Sequence, residues 1–480
     1  MTYPASRIVI LSTVLLLTVA LNLACFKSGA PKESPPPNTV IVSPNGIGQY
    51  TTIGEALKGV QPGMRILVRP GVYYEGLIID KPVEIVADPG GGGDQVVLQT
   101  LHSSSITMRT NRALVRGFTI RHRLGLMGAI LNLLYGKTAP AVDIPQGELV
   151  LEDCDIISNS VAGIAIHGLT ANPSIRRTRI HDGQSNGIWV YAGGQGTLED
   201  CDISNTYWAG VRIEGQGNPI LRRSKMHNGR NAGVVVTDGG RGTIEDCEIW
   251  GNAYSGLESR DGSKPVIRRT SIHGSKYNGV YINRGGSGTV EDCQIFNNGS
   301  VGVEIEENST PLIARSNIFN NAYSDVEICE GSNPVIRECA IYGGQMSGIF
   351  VYRRGHGTIE DCDIFGHANY QEVVIQDGSD PTLRTCKIHH GNVGGVLLLE
   401  HAGGTFENCD IYNNGSSGVW IRTGTNPTIR NTKINRNNGV GILTEQNSAG
   451  SILDCDLRGN SRGPWGDLAG SQLNRSGNIE

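Results

Sequence analysis

The sequence predicts an all-β solenoid with about 23 residues in each coil. Three observations lead to this prediction: a small residue recurs every 23 or 24 positions, a glycine-led run of alternating residues follows it, and no helical periodicity lies between them. A unit of this length cannot bury its apolar side chains alone, so neighbouring units must stack. We call the recurring small residues the corner markers; they are Cys154, Thr178, Cys201, Ser224, Cys247, Thr270, Cys293, Ser316, Cys339, Cys362, Cys386, Cys409, Thr432 and Cys455.

Two strands can be assigned in each unit. One strand is interrupted at the marker, where two consecutive polar residues break the alternation and predict a corner. The other strand opens on a glycine such as Gly187 and then alternates strictly. This alternation directs Ile188 and Val190 into the core and Trp189 and Tyr191 outward. Stacked strands about 4.8 Å apart predict a rod on the order of 80 Å long.

The chain divides into four segments. Residues 1–24 combine Arg7 with a following apolar run, which predicts an export signal peptide, and residues 25–38 form a Pro/Ser-rich tether. Residues 39–460 hold the repeats. Residues 461–480 lose the repeat and are predicted to form a C-terminal cap over the last open sheet edge.

The predicted signal ends with Ala24 and Cys25, which resemble a bacterial lipoprotein cleavage site where the cysteine becomes lipid-modified. Asn22 departs from the leucine usual at its position, so a plain secretory signal or an uncleaved anchor is the alternative. Lipidation of Cys25 predicts a bacterial cell-envelope protein held to a membrane by its N-terminal lipid anchor. A plain secretory signal would instead predict a secreted protein.

The repeats also resemble a known group of proteins. Gly196–Ile203 and Asn218–Ser224 are similar to the right-handed parallel β-helix repeats of the pectin-lyase-like superfamily, particularly the carbohydrate-binding and sugar-hydrolase domain of F-box only proteins. Tyr50–Leu57, followed by Gly71–Glu75, resembles the opening of many such helices, in which a short amphipathic helix plugs the first coil. The resemblance implies a right-handed coil with an N-terminal capping helix over residues 39–460.

The two polar residues before each marker alternate in charge along the chain. Acidic pairs such as Glu199 and Asp200 precede cysteines, whereas basic pairs such as Arg222 and Arg223 precede threonine or serine. Stacking therefore sets opposite charges one coil apart and predicts a ladder of surface ion pairs that fixes coil register. The alternation slips near Arg337, where two basic coils follow each other.

Ten cysteines follow Cys25, and nine of them are corner markers. An exported protein meets an oxidising environment, so disulfides must be considered. Cys339, Cys362, Cys386 and Cys409 lie in consecutive coils, where stacking gives a feasible distance but a poor side-chain angle. Buried free thiols are the favoured interpretation, with one or two stacked disulfides as the alternative.

The glycine-led strands predict a binding face. Aromatic rings stack on sugar faces or anchor protein partners, and arginine binds carboxylates. The recurrence of aromatic residues and arginines at outward positions therefore favours a binding function. The alternative is that β-structure favours aromatic residues and that a loop or another subunit covers them. The predicted ligand-binding residues are Trp189, Tyr191, Arg212, Glu258, Arg260, Tyr281, Phe350, Tyr352 and Trp420.

Three glutamates on the same face are the catalytic candidates: Glu304, Glu306 and Glu327. Closely stacked carboxylates repel and need a cation, a shared proton or an arginine. They could therefore bind calcium, the one cofactor considered, or supply an acid and a base with separated pKa values. An ordinary solvated acidic patch is the favoured interpretation, because the flanking sequence shows no calcium-loop pattern, and no metal site is assigned.

These features favour an envelope-anchored or secreted binding scaffold that recognises a polysaccharide or an envelope protein along its side face. A net charge of −5 with intermixed acids and bases argues against a nucleic-acid partner. A polysaccharide lyase or epimerase is the alternative. The aspartate pair of polygalacturonases and the Asp-Pro-His run of mannuronan epimerases are absent from the sequence. A protein-interaction adaptor like the β-helix of F-box only proteins is the second alternative.

Overall fold

The computed structural model describes residues 36–88, 95–101, 103–123, 139–466 and 470–480. They form an all-β parallel solenoid with one short helix, which confirms the predicted fold class. The predicted signal peptide and its cysteine lie outside the described residues. Within the described part of the chain, no helix is long and apolar enough to cross a membrane.

Each coil contributes strands to three parallel sheets that wrap around one core. The first sheet holds the strands that precede the corner markers. Over the described ranges it has 19 strands: Thr39–Val42, Arg65–Val68, Glu84–Ala87, Arg112–Arg116, Glu148–Glu152, Ser174–Arg176, Thr197–Glu199, Ile220–Arg222, Thr243–Glu245, Val266–Arg268, Thr289–Glu291, Leu312–Ala314, Val335–Arg337, Thr358–Glu360, Thr382–Arg384, Thr405–Glu407, Thr428–Arg430, Ala449–Leu453 and Gln472–Ser476.

The second sheet holds the strands that follow the markers. Its 16 strands in the described chain are Gly71–Tyr73, Val96–Thr100, Phe118–His122, Asp155–Ser158, Arg179–His181, Asp202–Ser204, Lys225–His227, Glu248–Trp250, Ser271–His273, Gln294–Phe296, Asn317–Phe319, Ala340–Tyr342, Asp363–Phe365, Lys387–His389, Asp410–Tyr412 and Lys433–Asn435.

The third sheet holds the glycine-led strands. Its 17 strands among the described residues are Leu77–Ile79, Ile106–Met108, Val142–Ile144, Ala162–His167, Asn186–Tyr191, Val211–Ile213, Val234–Val236, Leu257–Ser259, Val280–Ile282, Val303–Ile305, Val326–Ile328, Ile349–Val351, Val373–Ile375, Val396–Leu398, Val419–Ile421, Ile442–Thr444 and Trp465–Gly466.

The corner markers are buried, and they bond to one another along the rod. The backbone N–H of Cys201 donates to the Ser224 hydroxyl at 3.1 Å, and Cys293 donates to Ser316 at the same distance. The ten cysteines of the described chain are free and buried, which confirms the favoured interpretation. The small side chains at this corner also bond locally, since Cys201 Sγ donates to the Glu199 carbonyl at 3.4 Å and the Ser224 hydroxyl donates to the Arg222 carbonyl at 2.8 Å.

A second buried column lies at the corner between the second and third sheets. The backbone N–H of Asn298 donates to Asn321 Oδ1 at 3.0 Å, and Asn414 repeats this bond with Asn437 at 3.1 Å. We call this column the asparagine ladder. Asn252 belongs to it, since its Oδ1 accepts from a backbone N–H one coil earlier. Asn252 therefore works through its side chain, and it does not adopt the left-handed backbone of Asn205.

A charged triad interrupts the asparagine ladder. His367 occupies a ladder position, and its ring bonds to Asp325 at 2.9 Å on one side and to Glu372 on the other. Asp325 and Glu372 stand where other coils open the third-sheet strand with glycine. Glycines at the two neighbouring ladder positions leave room for the carboxylates. All three side chains of the triad are completely buried.

The predicted ion-pair ladder is present along the first corner. Arg223 bonds to Asp200 at 2.9 Å and to Glu199 at 2.6 Å, and the same geometry recurs two coils on either side. Most of these side chains are partly exposed. Glu245 is an exception, because it is buried and lies between Arg222 and Arg268.

The two ends of the rod are closed differently. Ile53–Gly59 is the predicted capping helix; the Glu75 carboxylate accepts from the N–H groups of Ile53 and Gly54 at 2.8 Å. At the other end, Trp465–Gly466 pairs with the third sheet. Gln472–Ser476 pairs with the first sheet, so this predicted cap continues the coil where it is described.

Candidate functional site

The outward side of the third sheet carries two columns of side chains, two and four residues after the strand-opening position. The predicted alternation is observed: Val280 and Ile282 are buried in the core, whereas Tyr281 between them is half-buried on the outside. The nine predicted ligand-binding residues all lie in these two columns. The columns are continuous along the rod, so their members can be grouped by coil.

The first group contains Trp189, Tyr191 and Arg212. The two rings pack with centroids 4.3 Å apart, and Trp189 Nε1 donates to Glu214 at 3.0 Å. Arg212 Nε donates to the other oxygen of Glu214 at 2.7 Å. These rings point outward as expected, but they cover each other and are only partly exposed.

Trp420 lies at the opposite end of the columns. The guanidinium carbon of Arg422 lies 5.4 Å from its ring centroid, and Arg422 is paired with Glu445 at 2.9 Å. Aliphatic residues occupy the intervening coils, including Val374 and Leu397. The structure therefore separates Trp420 from the other predicted residues.

The central group is the largest and brings the remaining predicted residues together. Glu258 is buried and lies 3.3 Å from the guanidinium of Arg260. Burial raises the pKa of Glu258. Phe350 and Tyr352 stack with ring centroids 4.6 Å apart and form the other end of the group. Tyr281 lies between these ends.

Glu304, Glu306 and Glu327 form the acidic centre of this group. Asn278 Nδ2 donates to Glu304, the Tyr281 hydroxyl donates to Glu306, and the Tyr352 hydroxyl donates to Glu327 at 3.3 Å. No basic residue forms an ion pair with these three glutamates within the described ranges. We call the three glutamates the acidic centre.

The electrostatics of the acidic centre reflect this lack of cations. Burial, followed by the charges of Glu306 and Glu327, raises the pKa of Glu304 to about 7. Burial also raises the pKa of Glu327, against the bonds from Ser324 and Tyr352. Glu304 is therefore partly protonated near neutral pH. Among the described residues, no group of three or more His, Cys, Asp or Glu side chains is arranged to hold a metal ion.

A row of exposed rings runs beside the two columns and was not predicted. It occupies the position two residues before each strand-opening residue, at the turn between the second and third sheets. We call it the aromatic ridge; it consists of Trp208, Tyr254, Tyr277, Tyr323 and Tyr370, which are 40 to 55% exposed. The recurrence of tyrosine at one fixed position in the repeat was the signal available in the sequence.

The aromatic ridge and the outward columns form one surface. A cavity of about 260 Å³ is lined by Trp208 and Tyr254 on one side and by Arg212, Glu258 and Arg260 on the other. Further along, Asn278 follows Tyr277 in the chain and bonds to Glu304. Ser324 likewise follows Tyr323 and bonds to Glu327. Tyr277 and Tyr323 are thus each one residue away from a group that contacts the acidic centre.

This architecture defines a parallel β-helix repeat protein with a long, decorated side face. The sequence pattern of the family described as the right handed beta helix region matches residues 132–258, 236–371 and 338–479. Together these segments cover more than half of the chain, so the protein belongs to this family, and the predicted right-handed coil is confirmed. No curated protein sequence matches the chain.

Several solved structures are similar to the chain. The periplasmic alginate epimerase AlgG is 12% identical with a TM-score of 0.37, over 86% of this chain and 79% of that one. The pectin methylesterase from Aspergillus niger is 15% identical with a TM-score of 0.35, over 56% of this chain and 88% of that one. The Azotobacter vinelandii mannuronan C-5 epimerase AlgE6 A-module is 13% identical with a TM-score of 0.31, over 89% and 92% of the two chains.

Proposed function

We propose that this protein binds a polysaccharide along the surface formed by the aromatic ridge and the outward columns of the third sheet. The aromatic ridge carries this proposal. Five large rings lie in one row and remain 40 to 55% exposed, although exposing such rings brings no benefit to folding. A row of rings with polar groups alongside suits a polymer whose units each offer an apolar face and hydroxyl groups.

The spacing of the rings supports a linear ligand. Tyr277, Tyr323 and Tyr370 occupy every second coil, which places them about 10 Å apart for strands stacked at about 4.8 Å. This distance is similar in length to a disaccharide. Tyr254 adds a ring in the coil before Tyr277, with ring centroids 5.0 Å apart. A polysaccharide could therefore meet rings at successive disaccharides while its hydroxyls reach the charged columns.

Binding can be tested with a panel of neutral, acidic and amino-sugar polysaccharides, using gel retardation and calorimetry. The Tyr277→Ser/Tyr323→Ser variant should lose about 1 to 3 kcal/mol of affinity for the best ligand, because two stacking rings are removed. Its melting temperature should stay unchanged, since neither ring belongs to the core. The matched control is Tyr74→Ser, which removes an exposed ring from another part of the surface.

Unchanged affinity in the ridge variant would contradict the proposed surface. If the protein binds a protein partner but none of the polysaccharides in the panel, the adaptor role would be favoured instead.

A lyase or epimerase is the second candidate function, and the raised pKa of Glu304 favours it. A carboxylic acid with a pKa of about 7 can exchange protons near neutral pH, and Glu306 and Glu327 offer further carboxylates beside it. Incubation with uronic-acid polysaccharides, followed by absorbance for unsaturated products and by NMR for epimerised residues, tests this candidate. Turnover that is lost in Glu304→Gln would establish an enzyme.

We also propose that the chain is exported and held at the bacterial envelope by lipid on Cys25. Ala24 and Cys25 support the cleavage site, and the Pro/Ser-rich tether would let the rod stand away from the membrane. The native protein should partition into detergent, and its mass should be that of a chain that begins at a lipid-modified Cys25. Cys25→Ser should abolish both properties. An unchanged processed mass in Cys25→Ser would contradict lipidation.

A further inference from the structure

We infer that the polysaccharide carries free amino groups and that Glu304, Glu306 and Glu327 receive one of its ammonium groups. The inference rests on the proposed function, because it names the class of sugar held by the same surface. Other carboxylates along the turn edge of the third sheet have a cation, such as Glu330 with Arg353 at 3.0 Å. The three carboxylates of the acidic centre have only neutral partners among the described residues.

A second, independent feature points to a missing hydrogen-bond donor. Asn283 lies on the outward face between Arg260 and Glu306 in the same column, and it is 6% exposed. Its Oδ1 is buried and accepts no hydrogen bond in the described structure. A buried acceptor without a donor is costly. An ammonium group offers three donors and no acceptor, so it complements both Asn283 and the acidic centre.

The aromatic ridge has a gap beside the acidic centre. Tyr277 and Tyr323 flank Ser300, which occupies the ridge position in the coil that carries Glu304 and Glu306. A small side chain there leaves a notch between two rings. A sugar chain stacked on both tyrosines would cross this notch, where an amino substituent can approach the carboxylates. Asn278 holds Glu304 from the same side.

Charge also determines which sugars the acidic centre rejects. A uronate would bring a further carboxylate towards the acidic centre, and like charges brought together at an interface oppose binding. An N-acetylated hexosamine is neutral and offers one amide donor in place of three ammonium donors. The expected order of affinity is therefore amino sugar, then N-acetylated or neutral sugar, then uronate.

The test compares hexamers of β-1,4-linked glucosamine, N-acetylglucosamine and glucose, and of α-1,4-linked galacturonate, by calorimetry with the full chain. The glucosamine hexamer should bind at least about tenfold more tightly than its N-acetylated counterpart. The Glu304→Gln/Glu306→Gln/Glu327→Gln variant should reduce this ratio to about one. Glu291→Gln, which alters an ion-paired glutamate on the first sheet, should keep the ratio of the native protein.

Two results would overturn the inference while leaving the proposed function intact. One is equal binding of the acetylated and free amino hexamers, and the other is a preference for glucose or galacturonate. Saturable binding of calcium ions that disappears in the triple variant would also overturn it, because the acidic centre would then be a metal site. Absence of binding to all four hexamers and to the polysaccharide panel would contradict the proposed function as well.

Discussion

The residue before every corner marker has a left-handed backbone although none of these residues is glycine. Their φ angles lie between 45° and 56°, from Asp153 to Asp454. Aspartate and asparagine tolerate this region because their short side chains bond locally. Arginine at the same corner has paired carboxylates one coil away, as Arg223 has with Asp200. Thr385 is the β-branched exception, and such residues fit the left-handed region poorly.

Replacing Thr385 with asparagine should stabilise the protein by about 1 kcal/mol, because a left-handed backbone is costly for a β-branched residue. The Thr385 hydroxyl bonds to Asp361, and the asparagine amide can replace that donor. Thermal melting of Thr385→Asn measures the gain. The control is Thr382→Asn in the strand of the same coil, which should be neutral or destabilising. A lower melting temperature for Thr385→Asn would contradict this account of the corner.

The ionisation of Glu304 should make the protein less stable as pH rises. Its folded-state pKa of about 7 exceeds the ordinary 4.5, so the folded state holds the proton more tightly and ionisation costs more there. Between about pH 4.5 and pH 7 this group should remove roughly 3 kcal/mol of stability at most. Glu304→Gln should therefore melt higher than the native protein at pH 8 and equally at pH 4. The control Glu330→Gln removes an ion-paired carboxylate and should show no such gain; a native-like pH profile for Glu304→Gln would contradict the prediction.

At the scale of elements, the buried triad of Asp325, His367 and Glu372 replaces part of the asparagine ladder with a charged network. Burial opposes protonation of His367, but bonds to Asp325 and Glu372 outweigh it and raise its pKa to about 9. Since the folded-state pKa exceeds the ordinary 6.5, this stabilisation is complete below about pH 6.5 and is lost as pH rises through about 9.

Removing the imidazole in His367→Ala should destabilise the rod by about 3 to 5 kcal/mol, because two buried carboxylates lose their partner. A repeat-restoring variant, with glycine at 325 and 372 and asparagine at 344, 367 and 391, should recover most of this loss by completing the asparagine ladder. Denaturant unfolding at pH 7 and pH 9.5 measures both effects. Proteins with the triad should weaken more between these pH values than the restored variant; equal weakening of the restored variant would show that the triad does not cause it.

Parts of these elements were predictable from the sequence. Alternation around Val280 and Ile282 correctly assigned the inward and outward sides of the third sheet. The half-burial of Trp189 and Tyr191 was not predictable, because it depends on contacts between rings and with Glu214. Asp325 and Glu372 stand out as replacements of a repeated glycine. Their joint contact with His367 requires the three-dimensional stacking of coils.

At the scale of the whole molecule, the ion-pair ladder connects consecutive coils along one corner of the rod. It was predicted from alternating charges, and the observed pairs of Arg223 with Glu199 and Asp200 confirm the register. Burial of Glu245 was not predictable, because the sequence pattern at Glu245 is the same as at Glu199. The pairing of Gln472–Ser476 with the first sheet was not part of the prediction, because the marker position of that coil holds Asn478, which accepts from the Cys455 N–H at 2.9 Å, in place of the cysteine, threonine or serine of the other coils.

Reversal of the ladder should be more damaging than loss of one charge. Changing Arg222, Arg223, Arg268 and Arg269 to glutamate would stack acidic coils above one another, and melting should fall further than in Glu245→Gln. The single variant should still cost about 1 to 3 kcal/mol, because Glu245 is buried between two arginines. High salt should rescue the reversed variant, since exposed charges are screened. Equal melting temperatures of the two variants at low salt would contradict stacking in this register.

The alternating charges also set the increment by which such a rod can grow. Duplicating one coil would place like charges next to each other, whereas duplicating two coils, about 46 residues, preserves the sequence of signs. Tyr277, Tyr323 and Tyr370 recur with the same two-coil step. Each permitted extension would therefore add one ring to the aromatic ridge, so the recognised ligand would lengthen in steps that leave the alternation of charge intact. The alternation is broken at the join near Arg337, where two basic coils already follow each other.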